Sequence, residues 1–274
     1  MSADGGGGAL QQFLADGYLQ FAADPRLVRW IEAVRPHAAR LAADPALKAA
    51  WLRCGGSWFA GVGVVGNGPD GSIDAADVPP LACDALDFAR QALDFGDGAL
   101  DAGQLSIAYR GYPAAPAEGE SEAAFRFRRD RDAAHVDGLE RDVARRRRLG
   151  EAHAFILGVP LAETPPGAAP LVVWRGSQAI MRRALADRFD GIAPQDWAGE
   201  DVTEAYQAAR RLVFERCQRV VIHAQPGEAY LVHRLAVHGV APWPATLDGP
   251  SAGRPILYFR PEGVRDFARW LTAP

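Results

Sequence analysis

His135-Val136-Asp137 is a three-residue stretch whose side chains could jointly hold a metal. If the stretch is extended, residues i and i+2 point to the same face, so an imidazole and a carboxylate are presented to one point in space. A further histidine from a distant strand would complete a set of two histidines and one carboxylate. Such a set caps one face of an octahedral ion, suits Fe(II), and leaves three positions open. His-x-Asp alone is a weak signal, so the third ligand has to be argued from the remaining histidines. His37 falls in a helical part and reads as a surface residue. His223 precedes a Pro-Gly turn and reads as an edge residue. His233 and His238 remain, five residues apart. His238 precedes Gly239, at a strand exit where a ligand can face a cavity.

The elements that must position these residues are mainly strands. Leu105–Tyr109, Ala154–Leu157, Leu171–Trp174, Arg219–Ile222, Ala229–Val232 and Ile256–Phe259 are short β-like runs. Turn signals such as Thr164-Pro-Pro-Gly167, Pro226-Gly227 and Pro242-Trp-Pro244 separate them, and one helix, about 201–217, interrupts the series. Ahead of them, residues 9–100 read mainly as helix, with an amphipathic stripe at Leu27, Val28, Ile31 and Val34. Residues 1–8 are expected to be disordered. Gly61-x-Gly63-x-x-Gly66 has the spelling of a dinucleotide-binding turn. However, Asn67-Gly-Pro-Asp-Gly71 follows where a helix would have to start, so a glycine-rich strand or loop is the better reading. The expected fold class is α+β with a mainly β core, a sandwich or barrel, in one domain over 9–274 with the core at 101–274.

Composition narrows the partners. A net charge of -4 over 274 residues provides no global basic field for nucleic acid. No apolar run reaches the ~18 residues of a membrane span. The N-terminus lacks a secretory pattern, and three scattered cysteines without C-x-x-C fit a reducing compartment, so a soluble cytoplasmic protein acting on a small molecule is expected. Nine arginines lie between Arg126 and Arg148. Asp130, Asp132, Glu140 and Asp142 are interleaved with them, which favours a solvated face over an anion-binding site.

Several segments resemble the phytanoyl-CoA dioxygenase family in the right order. Gly227–Pro242, with His238-Gly-Val-Ala-Pro242, looks like the family's second-histidine segment. Leu171–Gln178 is similar to the strand leading into its Pro-Gly-Ser-His turn, here Arg175-Gly-Ser-Gln178. Phe13–Tyr18 resembles its N-terminal opening. The resemblance implies a double-stranded β-helix (a jelly-roll, cupin-like core under an N-terminal helical layer). It implies an Fe(II)- and 2-oxoglutarate-dependent dioxygenase that uses O2, hydroxylates a small molecule and releases succinate and CO2. It assigns His135, Asp137 and His238 to iron and Arg254 to the distal carboxylate of 2-oxoglutarate, a task for which a planar guanidinium is suited. His153 could also reach the co-substrate or be structural. Related halogenases lack the carboxylate, so Asp137 favours hydroxylation over halogenation. The chain departs from the family in a long interval from His238 to Arg254, and in Val240, where a hydroxyl residue is usual. Loops 57–77, 111–124 and 243–252 are expected to line the substrate pocket. The alternatives are a cupin-like metal-binding protein without turnover and a metal enzyme that does not use 2-oxoglutarate.

Overall fold

The computed structural model describes residues 3–114, 121–262 and 267–274. In chain order the elements are α1 (Ala3–Asp16), β1 (Tyr18–Phe21), α2 (Pro25–Ala43), α3 (Pro45–Trp51), β2 (Leu52–Arg53), β3 (Trp58–Gly61), α4 (Asp84–Ala92), β4 (Gln104–Ala108) and α5 (Glu122–Asp130). Then come β5 (Leu139–Arg141), β6 (Arg147–Leu149), β7 (Phe155–Pro160), β8 (Leu171–Trp174), α6 (Ser177–Phe189), α7 (Thr203–Arg216), β9 (Arg219–Ile222), β10 (Ala229–His233), β11 (His238–Val240), β12 (Arg254–Phe259) and α8 (Phe267–Thr272).

Every named strand pair is antiparallel. Seven strands form a large sheet in the order β1-β10-β7-β12-β4-β3-β2, and three form a small sheet, β11-β8-β9. Alternation along the strands builds the layers. In the large sheet Leu105, Leu157, Leu231, Leu257 and Phe259 face outward into a core shared with Leu27, Trp30, Ile31 and Val34 of α2 and Leu86 of α4. Their neighbours Ile156, Tyr230, Val232 and Ile256 face inward and meet Leu171 and Val173 of the small sheet. The far side of the small sheet, Val172 and Trp174, packs on α6 and α7 through Met181, Leu185, Tyr206 and Val213. The result is a mixed helix and antiparallel-sheet fold, with a space between the two sheets that is partly filled by apolar side chains and partly open.

The six predicted strands appear at β4, β7, β8, β9, β10 and β12. The amphipathic stripe is the buried face of α2, which runs unbroken through Pro36 until Asp44 caps α3 with its side chain. Three features differ from expectation. The glycine run Gly5–Gly8 is helical rather than disordered: once Phe13 is packed, each residue added to α1 gains a helical hydrogen bond at low nucleation cost. Residues 1–2 lie outside the described residues. β1 lies within the stretch read as helix, because its four residues pair with β10. His238 opens β11 rather than ending a strand.

His233 is fully inside this framework, packed on Phe13, and its Nδ1 accepts from the Leu235 amide at 3.0 Å. Burial, reinforced by Arg234 and Arg182, holds its pKa well below the ordinary value of 6.5. The folded chain therefore withholds a proton that the unfolded chain binds below about 6.5, and stability falls as pH falls through that range. Urea titrations of chelator-treated protein should show a loss that steepens below about pH 6.5, at most about 1.4 kcal/mol per pH unit from this group. His233→Gln should flatten the slope; parallel curves for the two proteins would refute the assignment.

Candidate metal centre

His135 and His238 are joined by backbone before their side chains meet. The His135 amide donates to the His238 carbonyl at 2.8 Å, and the His238 amide donates back at 3.0 Å. So close an approach depends on Gly239. A Cβ there would sit 2.0 Å from the Asp132 carbonyl oxygen. His135 therefore belongs to an isolated bridge rather than to a continuous strand. After Asp137 the chain turns at Gly138 (φ +78°), where a Cβ would lie 2.4 Å from the Glu151 carbonyl oxygen. The segment before His238 is also pinned. The Val237 amide donates to Ser177 Oγ at 2.8 Å, and the Trp174 amide donates to the Val237 carbonyl at 2.9 Å. The Arg175-Gly-Ser-Gln178 turn thus fixes the position of His238.

The three side chains converge. His135 Nε2 lies 3.0 Å from Asp137 Oδ1, and His238 Nε2 lies 3.8 Å from Asp137 Oδ2. One ligand atom from each falls within 4.8 Å of the others, the only such metal-competent group of three among the described residues. Each histidine also has its other nitrogen engaged two residues back along the chain, His135 Nδ1 on the Ala133 carbonyl (2.9 Å) and His238 Nδ1 on the Ala236 carbonyl (3.0 Å). A carbonyl can only accept, so Nδ1 carries the hydrogen, and in the neutral ring the Nε2 lone pair is free to bind a metal. Two imidazole nitrogens and a carboxylate oxygen form a donor set that fits a divalent first-row ion.

Burial alone would raise the Asp137 carboxyl, but the His135 hydrogen bond and the charges of His238, His135 and Arg260 hold it well below the usual carboxylate range. Burial opposes charge on His135, yet Asp137 outweighs it and lifts its pKa above the ordinary value. Burial, then the proximity of His135, pushes His238 down to about 4.

The triad stands on the wall of a cavity of about 840 Å³ between the sheets. Of the other sequence-predicted residues, Arg254 is buried at the start of β12, on the inward-facing row, but does not line this cavity. Its charge lies near Tyr230 and lowers a phenol pKa that burial raises, and no carboxylate partners Arg254 among the described residues. His153 lies elsewhere. Its Nδ1 donates to the Arg260 carbonyl at 3.0 Å, its Nε2 faces Glu151 at 2.8 Å, and it lines a separate cavity with Arg234 and Trp270. His37 and His223 each end on a backbone carbonyl, of Val65 and Thr164. Val240 lines the triad cavity, as do Trp58 and Val62 of the first expected loop and Ser121 and Ala124 of the second, whose residues 115–120 lie outside the described residues. No residue of 243–252 does: Trp243 is buried and bonded to Leu247 and Tyr112, which folds that loop away.

Sequence reasoning missed Arg260. Its Nη1 lies 3.4 Å from Asp137 Oδ2, while Nη2 bonds Gln104. Arg260 continues the inward row of Arg254, Ile256 and Tyr258, and that period of two was the signal that could have found it.

No family model matches the chain, and no curated protein matches it by sequence. Among solved structures it is similar to AviO1 from Streptomyces viridochromogenes Tue57, at 15% identity, covering 95% of this chain and 96% of that one with a TM-score of 0.48. It is also similar to EctD from S. alaskensis, solved with 2-oxoglutarate and 5-hydroxyectoine (16% identity, 97% and 77% covered, TM-score 0.47). A third is SnoN, a non-heme alpha ketoglutarate dependent epimerase from nogalamycin biosynthesis (11% identity, 96% and 88% covered, TM-score 0.48).

The geometry makes a graded prediction for calorimetric titration with Mn(II). Alanine at His135, Asp137 or His238 should abolish tight binding. Arg260→Leu, which leaves the three ligands but frees the Asp137 carboxylate, should weaken it about 10–100-fold, as expected for a group that orients a ligand. Unchanged affinity in Asp137→Ala would remove the triad as the metal site.

Proposed function

We propose that this chain is an Fe(II)- and 2-oxoglutarate-dependent oxygenase that hydroxylates a small molecule, on a double-stranded β-helix of the phytanoyl-CoA dioxygenase kind. The observation that carries the reading is the convergence of two tautomer-locked histidines and one carboxylate on the wall of a deep inter-sheet cavity. His135, Asp137 and His238 would hold the iron on one face, leaving the cavity side for co-substrate and O2. When bound, the iron and 2-oxoglutarate supply the oxidising chemistry, with succinate and CO2 as by-products. The chain supplies positions, charge and exclusion of water.

Arg254 serves the co-substrate indirectly in this reading. The Arg254 charge acts on the buried Tyr230 phenol, and Tyr230 donates its own hydrogen to Tyr258 Oη at 3.0 Å. Tyr258 lines the cavity, and its hydroxyl hydrogen is left to point into it. The chain Arg254–Tyr230–Tyr258 thus presents a polarised donor suited to a carboxylate. Three free cysteines, two of them buried, fit the reducing cytoplasm, and no helix among the described residues is long and apolar enough to cross a membrane.

One observation favours a second reading, a metal protein or enzyme that does not use 2-oxoglutarate: Arg254 stands behind the cavity wall instead of on it. The two readings separate experimentally. In the first, Fe(II) and 2-oxoglutarate together raise the melting temperature under anaerobic conditions, and succinate forms slowly in air without substrate. Tyr258→Phe and Arg254→Ala each raise the 2-oxoglutarate concentration for half-saturation about 10-fold or more, the worth of a charge-assisted hydrogen bond, with Mn(II) affinity unchanged. Metal binding without stabilisation by 2-oxoglutarate and without succinate would establish the second reading.

A further inference from the structure

The cavity that holds the triad has an uneven charge balance. Arg53, Arg128, Arg145 and Arg260 line it, and the only lining carboxylate among the described residues is Asp137. A divalent ion on the triad would add to the excess. Low-dielectric walls focus such a field into the cavity.

The arginines differ in what they already do. Arg260 is engaged by Asp137 and Gln104. Arg53 donates to the neighbouring Leu52 carbonyl and lies over the face of Trp51, with no carboxylate partner among the described residues. Arg145 has no carboxylate partner among the described residues. Its hairpin neighbours do: Arg146 pairs with Asp201, and Arg148 with Asp142. Farther back, Arg129 pairs with Asp130. Within the arginine-rich stretch, Arg129, Arg146 and Arg148 are thus paired with acids, while Arg128 and Arg145 both line the cavity. The adjoining cleft, which both also face, adds three more arginines against Glu140 and Glu151.

The backbone at Arg145 carries independent weight. The residue has φ +63°, in the left-handed region, within the turn that joins β5 to β6. Glycine or asparagine would satisfy that turn, whereas a long L side chain costs roughly 1 kcal/mol there. An arginine held at such a position, unpartnered by acid and turned to the cavity, fits a side chain kept for what it binds. Next to these charges the wall is apolar, with Trp58, Val62 and Leu171.

We propose that the mouth of this cavity is a binding subsite for the anionic group, carboxylate or phosphate, of an organic substrate whose apolar body lies along Trp58 and Val62 toward the triad. The inference rests on the oxygenase reading for the reaction performed, but not for the binding. The 2-oxoglutarate anion does not account for the subsite, since that reading places its two ends at the metal and at Tyr258.

The test uses the full chain loaded with Mn(II) and four probes of matched shape: 4-phenylbutyrate, 3-phenylpropyl phosphate, 4-phenylbutan-1-ol and 4-phenylbutylamine. Calorimetry should show at least one of the two acids binding about 10-fold more tightly than the alcohol and the amine. The stronger acid tells carboxylate from phosphate, and broadening of its proton resonances by Mn(II) should place it beside the triad. Arg145→Gly, which suits the turn backbone, should weaken the acid about 5-fold or more while leaving the alcohol and Mn(II) affinities unchanged, and Arg145→Lys should recover part of the loss. Equal binding of acid and alcohol, no binding of either acid, or an unaltered acid affinity in Arg145→Gly would each overturn the subsite. Failure of the oxygenase reading shows separately, as anion binding that survives while succinate never forms.

Discussion

The site depends on one close approach of backbone to backbone. β11 comes so near the segment 132–135 that residue 239 has no room for a side chain, and that proximity gives His135 and His238 a mutual pair of backbone hydrogen bonds. The approach is held at a conformational cost. Asp132 and Ala133 both have positive φ, 53° and 55°, where L residues are disfavoured by roughly 1 kcal/mol or more each. Asp132 is retained there by a two-pronged ion pair with Arg219 at 2.7 and 2.8 Å and by the Val240 amide, which donates to its carbonyl. The strain immediately before His135 is thus opposed by a salt bridge to β9 and by a hydrogen bond from β11. Both restraints come from the small sheet.

The same local device orients both histidines. Each ring donates from Nδ1 to the carbonyl two residues earlier, Ala133 in one case and Ala236 in the other. The acceptors are neutral, and the charged group that pairs with the triad among the described residues is Arg260, which approaches the carboxylate and not an imidazole. Arg260 is itself fixed from three directions: its amide donates to Asp101 at 2.6 Å, its guanidinium bonds Gln104, and its carbonyl accepts from His153. His153 therefore bears on the triad as a buttress of Arg260, from outside the triad cavity.

What was legible in the sequence follows from how local its cause is. Strands rich in Val, Ile and Leu, such as Leu171–Trp174, show themselves by composition, and the buried stripe of α2 by its period. β1 and the β5–β6 hairpin are short or arginine-rich, and pairing with β10 or across the turn decides them. The His-x-Asp spacing showed where two side chains would meet. Which histidine joins them was settled by Gly239, whose importance lies in a carbonyl about a hundred residues away in sequence. Arg254 illustrates the same limit. Its position at the head of β12 was readable, but the interposed hydroxyls of Tyr230 and Tyr258 depend on three strands coming together.

The two ends of the inward row of β12 show how the sheet divides its work. Arg254 opens β12 and Arg260 directly follows its last residue; they are six residues apart, an even number, so the pleat continued by one residue sends both guanidiniums to the inter-sheet side. Between them Ile256 closes the apolar interior, and Tyr258 opens onto the cavity. A buried guanidinium is costly to desolvate unless its donors are used. Arg260 uses its donors on Asp137 and Gln104, both of which line the cavity. Arg254 lies near a tyrosine hydroxyl, a neutral group that leaves its charge uncancelled. β12 and the residue that follows it therefore place one positive charge against the Asp137 carboxylate and another balanced by nothing among the described residues. The cavity lies alongside the row that joins them, so an anion entering it would feel both, with the unbalanced charge as the stronger attraction.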